Sequence, residues 1–203
     1  MNIIVEKTIE ALKKNNMEAS YYEDSNSAIS DLLMEIKVDE TVGIGGSVTV
    51  KNLEIPEKLL ERGNKIFYHW LENTKEGMTE ARRNAMKADV YIASTNALTE
   101  KGQLVNCDGT GNRVAAMIYG PEKVFIICGI NKIVKDLDAA LDRIKAYTYL
   151  NARRLKLNTP CAITGKCNDC DSAQRMCSVT TIIDKSPRET KIKVLLIGEE
   201  LGF

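Results

Sequence analysis

The sequence predicts an α/β protein: a mostly parallel sheet with helices on both faces, followed by a cysteine-rich module at the C-terminal end. Three observations lead there. Short runs rich in Val, Ile and aromatic residues ("ETVGIGG", "NKIFYHW", "DVYIAS", "KVFIICGI") alternate with helical patterns, and strands that alternate with helices pair in parallel through helical crossovers. Of the 203 residues 44% are hydrophobic and 28% charged, enough to bury a proper core without disulfides. Cys161, Cys167, Cys170 and Cys177 then fall within the single run "TPCAITGKCNDCDSAQRMCSVTT". The expected division is an α/β core over 1–157 and a cysteine-rich, metal-binding segment with terminal strands packing on that core over 158–203.

The elements follow in order. Ile4, Val5, Thr8, Ile9 and Leu12 recur at helical spacing, and Asn15-Asn16 closes that helix. "EASYYED" is a short extended piece. Ser25 or Ser27 caps a helix that buries Ile29, Leu32, Leu33 and Ile36. An apolar strand then ends in the glycines of "VGIGGSVTV", and "IPEKLLERG" is helical. "NKIFYHW", "DVYIAS" and "KVFIICGI" read as strands, with "EGMTEARRNAMKA" and "NRVAAMIYG" as the helices between them. "NALTEKGQLVNCDG" interrupts this rhythm: Glu100-Lys101-Gly102 marks a tight turn between two extended arms. A long helix spans about Asp136 to Leu155, and Pro160 ends helical propagation. "VTTIID" and "KIKVLLIGEELGF" are two strands joined by the polar "KSPRET".

Charge narrows the function classes. Lys plus Arg number 28 and Asp plus Glu 28, so no overall field favours nucleic acid. The basic stretch "NARRLKL" reads as a solvated helix face. No run reaches the roughly 18 apolar residues of a membrane span, and the first residues lack the apolar core of a signal peptide. The expected location is therefore the cytoplasm, where thiols stay reduced.

Two loops carry candidate binding groups. Gly43, Gly45 and Gly46 lie where a strand ends and Ser47 where a helix could begin, an arrangement that points amide N–H groups at an anion. It matches neither the phosphate-loop nor the dinucleotide pattern, and a plain strand-to-helix turn is the alternative. Past the next strands, "STNALTEKGQLVNCDGTGNR" offers Asn96, Glu100, Asn106, Asp108, Asn112 and Arg113. Ligands of open α/β sheets bind beyond the carboxyl ends of the strands, where both loops would lie. Glu100 and Asp108 are the candidate acid or base, although Asn, Asp and Gly also simply form turns. His69, the only histidine, reads as a strand-end residue with a satisfied hydrogen bond. Cys128 reads as a core residue and Cys107 as an inert thiol.

The spacing C-x5-C-x2-C-x6-C holds one chelating pair, Cys167 and Cys170, with Cys161 and Cys177 completing four thiolates. Gly165, Asn168, Asp169, Asp171 and Ser172 let the backbone wrap a metal and offer amides to the sulfurs. A reducing compartment argues against disulfides. Structural zinc sites more often pair two C-x2-C knuckles, so a [4Fe-4S] cluster is the first expectation and Zn²⁺ the alternative.

With these residues in hand, the chain resembles the lactate utilization protein family, the LUD domain, from about Ile29 to its end. The resemblance rests on "VGIGGSVTV", on "ARRNAMKADVYIASTNALTEKGQLVNCDGTGNRVAAMIYGPEKVFIICGINKIV" and on "PCAITGKCNDCDSAQRMC". It implies a fold similar to sugar-phosphate isomerases and CoA transferases, whose glycine loop at a strand end holds an anionic substrate. By that similarity Gly45, Gly46 and Ser47 face the ligand, with Asn96, Asn106, Asp108 and Asn112 across from them and Arg113 beside them. It also implies a role in oxidation of lactate to pyruvate, in a system some of whose partners carry iron–sulfur clusters. The chain departs from larger members in lacking a separate ferredoxin-like extension. The combined expectation is a component that binds a [4Fe-4S] cluster, serves oxidation of lactate or a related small acid, and meets electron-transfer partner proteins, possible homo-oligomers included. The alternatives are an isomerase- or transferase-like enzyme on a phosphorylated or CoA-linked substrate with structural zinc, and a binding subunit with no chemistry of its own.

Overall fold

A computed structural model describes residues 2–203. Helix α1 (Ile3–Lys14) starts at Asn2, whose side chain accepts from the Ile4 amide at 3.1 Å, and stops at Asn15. Asn16 follows in the left-handed region at φ 57°, which Asn tolerates better than most residues. After β1 (Glu18–Tyr22), helix α2 (Ser25–Glu35) is capped by Asp24 rather than by Ser25 or Ser27: the Asp24 carboxylate accepts from the Ser27 amide at 2.9 Å. A carboxylate there also complements the positive helix end.

Strand β2 (Val42–Ile44) leads into α3 (Val48–Asn52) and α4 (Ile55–Glu61). Then come β3 (Ile66–Tyr68), α5 (Lys75–Ala85) and β4 (Val90–Ala93). The expected hairpin forms as β5 (Ala97–Thr99) and β6 (Leu104–Asp108), antiparallel about the Glu100–Gly102 turn. Helix α6 (Asn112–Ile118) and β7 (Lys123–Gly129) lead through a 3-10 turn at Ile130–Lys132 to β8 (Ile133–Val134). The long helix α7 (Leu137–Arg154) is flanked by Asp136 and Leu155 as the sequence indicates. Its end precedes Pro160, which does not terminate it but opens α8 (Pro160–Thr164), at the first helical position where a missing N–H costs nothing. Strands β9 (Val179–Ile183) and β10 (Lys191–Ile197) complete the chain.

Six strands form one parallel sheet in the order β1-β10-β7-β4-β2-β3. Its strands alternate sides and both sides are covered. Val90, Ile92, Phe125, Ile127, Leu195 and Ile197 pack with α2, α3 and α4, whereas Tyr91, Ala93, Val124, Ile126, Val194 and Leu196 pack with α1 and α6. Gly43 lets α5 come close: a Cβ there would lie 2.4 Å from the Ala85 carbonyl oxygen. A second sheet, β8-β5-β6-β9, is covered by α7 through Ala140 and Ile144.

The strands after the cysteine run pack on the α/β core. β10 lies inside the main sheet, paired with β1 on one side and β7 on the other, and β9 pairs with β6. The expected boundary near residue 157 marks a change in composition, whereas the packing runs across it. Among the described residues, no helix is long and apolar enough to cross a membrane.

Candidate functional site

The carboxyl ends of β2, β3, β4 and β7 open onto a pocket of about 570 Å³. Gly46, Ser47 and Thr49 come from the turn after β2, His69 and Trp70 from the end of β3, and Ser94 to Asn96 from the end of β4. Lys132 rises from the turn after β7. The lining contains five basic side chains (Arg82, Arg113, Lys132, Arg154, Arg175) and one acidic side chain, Asp108. The lining thus carries an excess of positive charge in a concave site.

Arg113 holds one wall together. Its Nη1 donates to the Ser94 carbonyl at 2.9 Å and to Asn106 Oδ1 at 2.7 Å; its Nη2 donates to Asn96 Oδ1 at 2.9 Å and to the Cys107 carbonyl at 3.0 Å. Its Nε lies 3.2 Å from Asp108 Oδ2, with both side chains only 10% exposed. The terminal donors are thus spent within the protein, so Arg113 shapes the pocket more than it offers donors to a ligand. Asp108 is also engaged, since its Oδ1 accepts from the amides of Thr110 at 3.1 Å and Gly111 at 2.9 Å. Asn106 lies fully buried behind this wall. Gly45 is needed behind it too, because a Cβ would sit 2.8 Å from Tyr91 Oη and 3.1 Å from Arg113 Cγ.

The sequence-derived residues therefore separate into groups. Gly46, Ser47, Asn96, Asp108, Asn112 and Arg113 line the pocket together, with the Ser47 hydroxyl accepting from Val50 N as the α3 cap. Gly45 and Asn106 support it from behind. Glu100 is not brought there, which corrects its assignment as a candidate acid or base at this site. It sits at the hairpin turn, its amide donating to Val134 O at 2.8 Å. β6 separates that turn from Asp108 by about 13 Å at ~3.4 Å per residue.

Several pocket residues were not anticipated. Lys132 is buried, and its Nζ donates to Thr49 Oγ1 at 2.9 Å and Ser94 Oγ at 2.8 Å. Burial pulls its ammonium down to about 8, and the guanidinium groups of Arg143 and Arg113 act in the same direction. Arg82 Nε is buried without a hydrogen-bond partner among the described residues, an orphaned donor in the pocket wall. His69 directly follows β3, as its strand-end reading has it, and also lines the pocket. Burial, helped by Arg82, lowers its imidazole to about 4, so the ring is neutral near pH 7. Arg154 is exposed, as expected of a solvated face, and its guanidinium also stacks over Trp70 at 4.8 Å beside the pocket. The signal for these residues was positional: His69, Trp70, Ser94 and Lys132 each follow a parallel strand at its carboxyl end.

Next to this pocket lies a cavity of about 160 Å³ lined by Cys107, Cys161, Cys167, Cys170 and Cys177. Asp169, between Cys167 and Cys170, takes the left-handed region at φ 46° and turns the backbone there. Arg175 braces the loop, donating to the carbonyls of Cys170 at 2.8 Å and Cys177 at 3.1 Å. All six cysteines are unpaired, and among the described residues no three Cys, His, Asp or Glu side chains converge as a single metal ion requires. Burial, with Cys177 nearby, pushes the Cys107 thiol up. Cys107 and Arg175 line the cavity and the pocket alike, so the two spaces share a wall.

Fold and site together define an α/β protein of the open parallel-sheet class, with a cation-lined pocket at the strand carboxyl ends and a cavity lined by cysteines beside it. A family model for the LUD domain matches residues 5–197, and the chain belongs to that family, which is associated with lactate utilization. A solved DUF162 family protein from Deinococcus radiodurans is similar in fold, with a TM-score of 0.55, 96% of each chain covered and 9% identity. No curated protein matches the chain.

Proposed function

We propose that the protein binds a small organic acid in the cation-lined pocket and a [4Fe-4S] cluster in the adjoining cysteine cavity, and serves oxidation of lactate or a related 2-hydroxy acid. The observation that carries this reading is the shared wall: Cys107 and Arg175 belong to both spaces. The donor set suits the cluster. Cys161, Cys167, Cys170 and Cys177 supply four thiolates without histidine. One Zn²⁺ at Zn–S distances of about 2.3 Å would draw four sulfurs to within roughly 3.8 Å of each other. The cavity that these thiols line, together with Leu141, Ile144 and Tyr149, has about 160 Å³, room for more than a single ion. When bound, such a cluster takes up or passes on electrons singly.

The chain's own residues do the rest. Arg82, with its free Nε, and Arg154 pair with the substrate carboxylate, while Arg113 and Asp108 keep the wall rigid. Oxidation of a 2-hydroxy acid to a 2-oxo acid releases two protons and two electrons. Neutral His69 takes the hydroxyl proton, the proton from C2 goes to water, and an electron-transfer partner protein receives the two electrons one at a time.

Trp70, the only tryptophan, lines the pocket and reports on binding by its fluorescence. Lactate and other small 2-hydroxy acids are expected to quench it saturably, and Arg82→Gln to weaken binding about 10- to 100-fold, as loss of a charged hydrogen bond does. The volume of about 570 Å³ also has room for a larger ligand, which favours the isomerase- or transferase-like reading as the second choice. Quenching by sugar phosphates or CoA esters, with no response to small carboxylates, would decide for that second reading.

A further inference from the structure

We infer that Lys132 is a nucleophile that forms an imine with the carbonyl carbon of a 2-oxo acid in the pocket. The inference rests on the reading of the pocket as an organic-acid site and adds to it a covalent step and a substrate class.

The hydrogen bonds around Nζ are the starting point. Thr49 Oγ1 donates to the Leu201 carbonyl at 3.3 Å, and Ser94 Oγ donates to the Thr95 carbonyl at 3.4 Å. Each hydroxyl thus has a carbonyl within reach of its own proton and accepts from Lys132, at 2.9 and 2.8 Å. An ammonium has three N–H groups and finds two acceptors here; a neutral amine has two N–H groups, both satisfied, and a lone pair left over. The surroundings favour the neutral form. Lys132 is 3% exposed, and the charged groups acting on it are Arg113 from α6 and Arg143 from α7, with the Cys128 thiol of β7 as the other titratable neighbour. No carboxylate is among these neighbours. Burial holds the ammonium near pH 8, so a substantial fraction of the amine is free at mildly alkaline pH.

The ligand that suits this site brings its own negative charge and a carbonyl next to it. A 2-oxo acid can place its carboxylate on Arg82, whose Nε has no partner, and its carbonyl at Lys132; both side chains line the same pocket. The Nζ lone pair attacks the carbonyl carbon, a C–N bond forms and the carbonyl π pair moves to oxygen, which takes a proton. The resulting carbinolamine loses water: its hydroxyl takes a second proton from solvent, the C–O bond breaks, and the nitrogen lone pair forms the C=N bond while nitrogen keeps one hydrogen. Near two guanidinium groups the cationic iminium is tolerated because the substrate carboxylate offsets its charge.

The test uses the full-length protein with pyruvate as the simplest 2-oxo acid, cyanoborohydride as trapping reductant, and peptide mass spectrometry. The expected result is a single adduct on the Lys132 peptide, heavier by the mass of pyruvate less one oxygen atom. Its yield should rise as pH passes through about 8, and lactate, which has no carbonyl, should give none. Lys132→Met should remove the adduct. Quenching of Trp70 by pyruvate without any adduct at Lys132, or an adduct spread over surface lysines, would overturn the imine while leaving the organic-acid pocket intact. Absence of both quenching and adduct would overturn the imine and the pocket reading together.

Discussion

Replacing Arg113 with Met is expected to lower the free energy of unfolding by about 3–5 kcal/mol, the usual cost of removing one partner from a buried ion pair. Asp108, 10% exposed, would keep its charge without the guanidinium 3.2 Å away. Asn96 and Asn106 would each lose a donor at Oδ1, and the carbonyls of Ser94 and Cys107 would lose theirs. Methionine has about the right length to fill the space beside Gly45, so the loss isolates the polar network rather than a cavity. Urea unfolding measures it. Because the residues form one network, Asp108→Asn combined with Arg113→Met should cost clearly less than the two single changes added together. A Met variant as stable as the parent would show that the wall does not depend on this guanidinium.

The second large effect concerns metal content. With Cys167 and Cys170 both changed to Ser, iron and sulfide in anaerobically prepared protein are expected to fall from about four of each per chain to near zero, because the proposed cluster would lose two of its four thiolates. Cys128 lies fully buried in the main core and away from the cavity lining, so Cys128→Ala should keep its iron despite a loss of packing. Cys107→Ala should keep it too, since Cys107 forms wall rather than ligand in this account. Iron retained by the Cys167/Cys170 double variant would refute the proposed ligand set.

Much of the fold was legible because its signals are local. The apolar runs at Val90–Ala93 and Lys123–Gly129 and the helix between Asp136 and Leu155 announce themselves by period and caps. The position of β10 was not legible: Lys191–Ile197 reads as a strand, but nothing in its pattern distinguishes an inner strand from an edge. The glycine turn and the Asn-Asp-Arg loop were visible as ligand candidates, since turn chemistry and polar density are written in the sequence. Their roles were not, because a role depends on which donors are already spent. Arg113 looks like a ligand-binding cation until its four terminal hydrogen bonds are seen, and Lys132 looks like an ordinary surface lysine until its burial is seen. Glu100 failed for a geometric reason: a hairpin brings its two arms together but holds its turn and its far end apart.

An anionic substrate and an inorganic cluster held in adjoining spaces with a common wall should each sense the other. The most direct measurement is the electron paramagnetic resonance spectrum of anaerobically prepared, reduced protein, with and without a saturating 2-hydroxy acid. The account predicts an iron–sulfur signal whose line shape changes on addition of the acid, and loss of that change in Arg82→Gln. Protein that carries no iron and sulfide, or a cluster signal indifferent to an acid that demonstrably quenches Trp70, would contradict it.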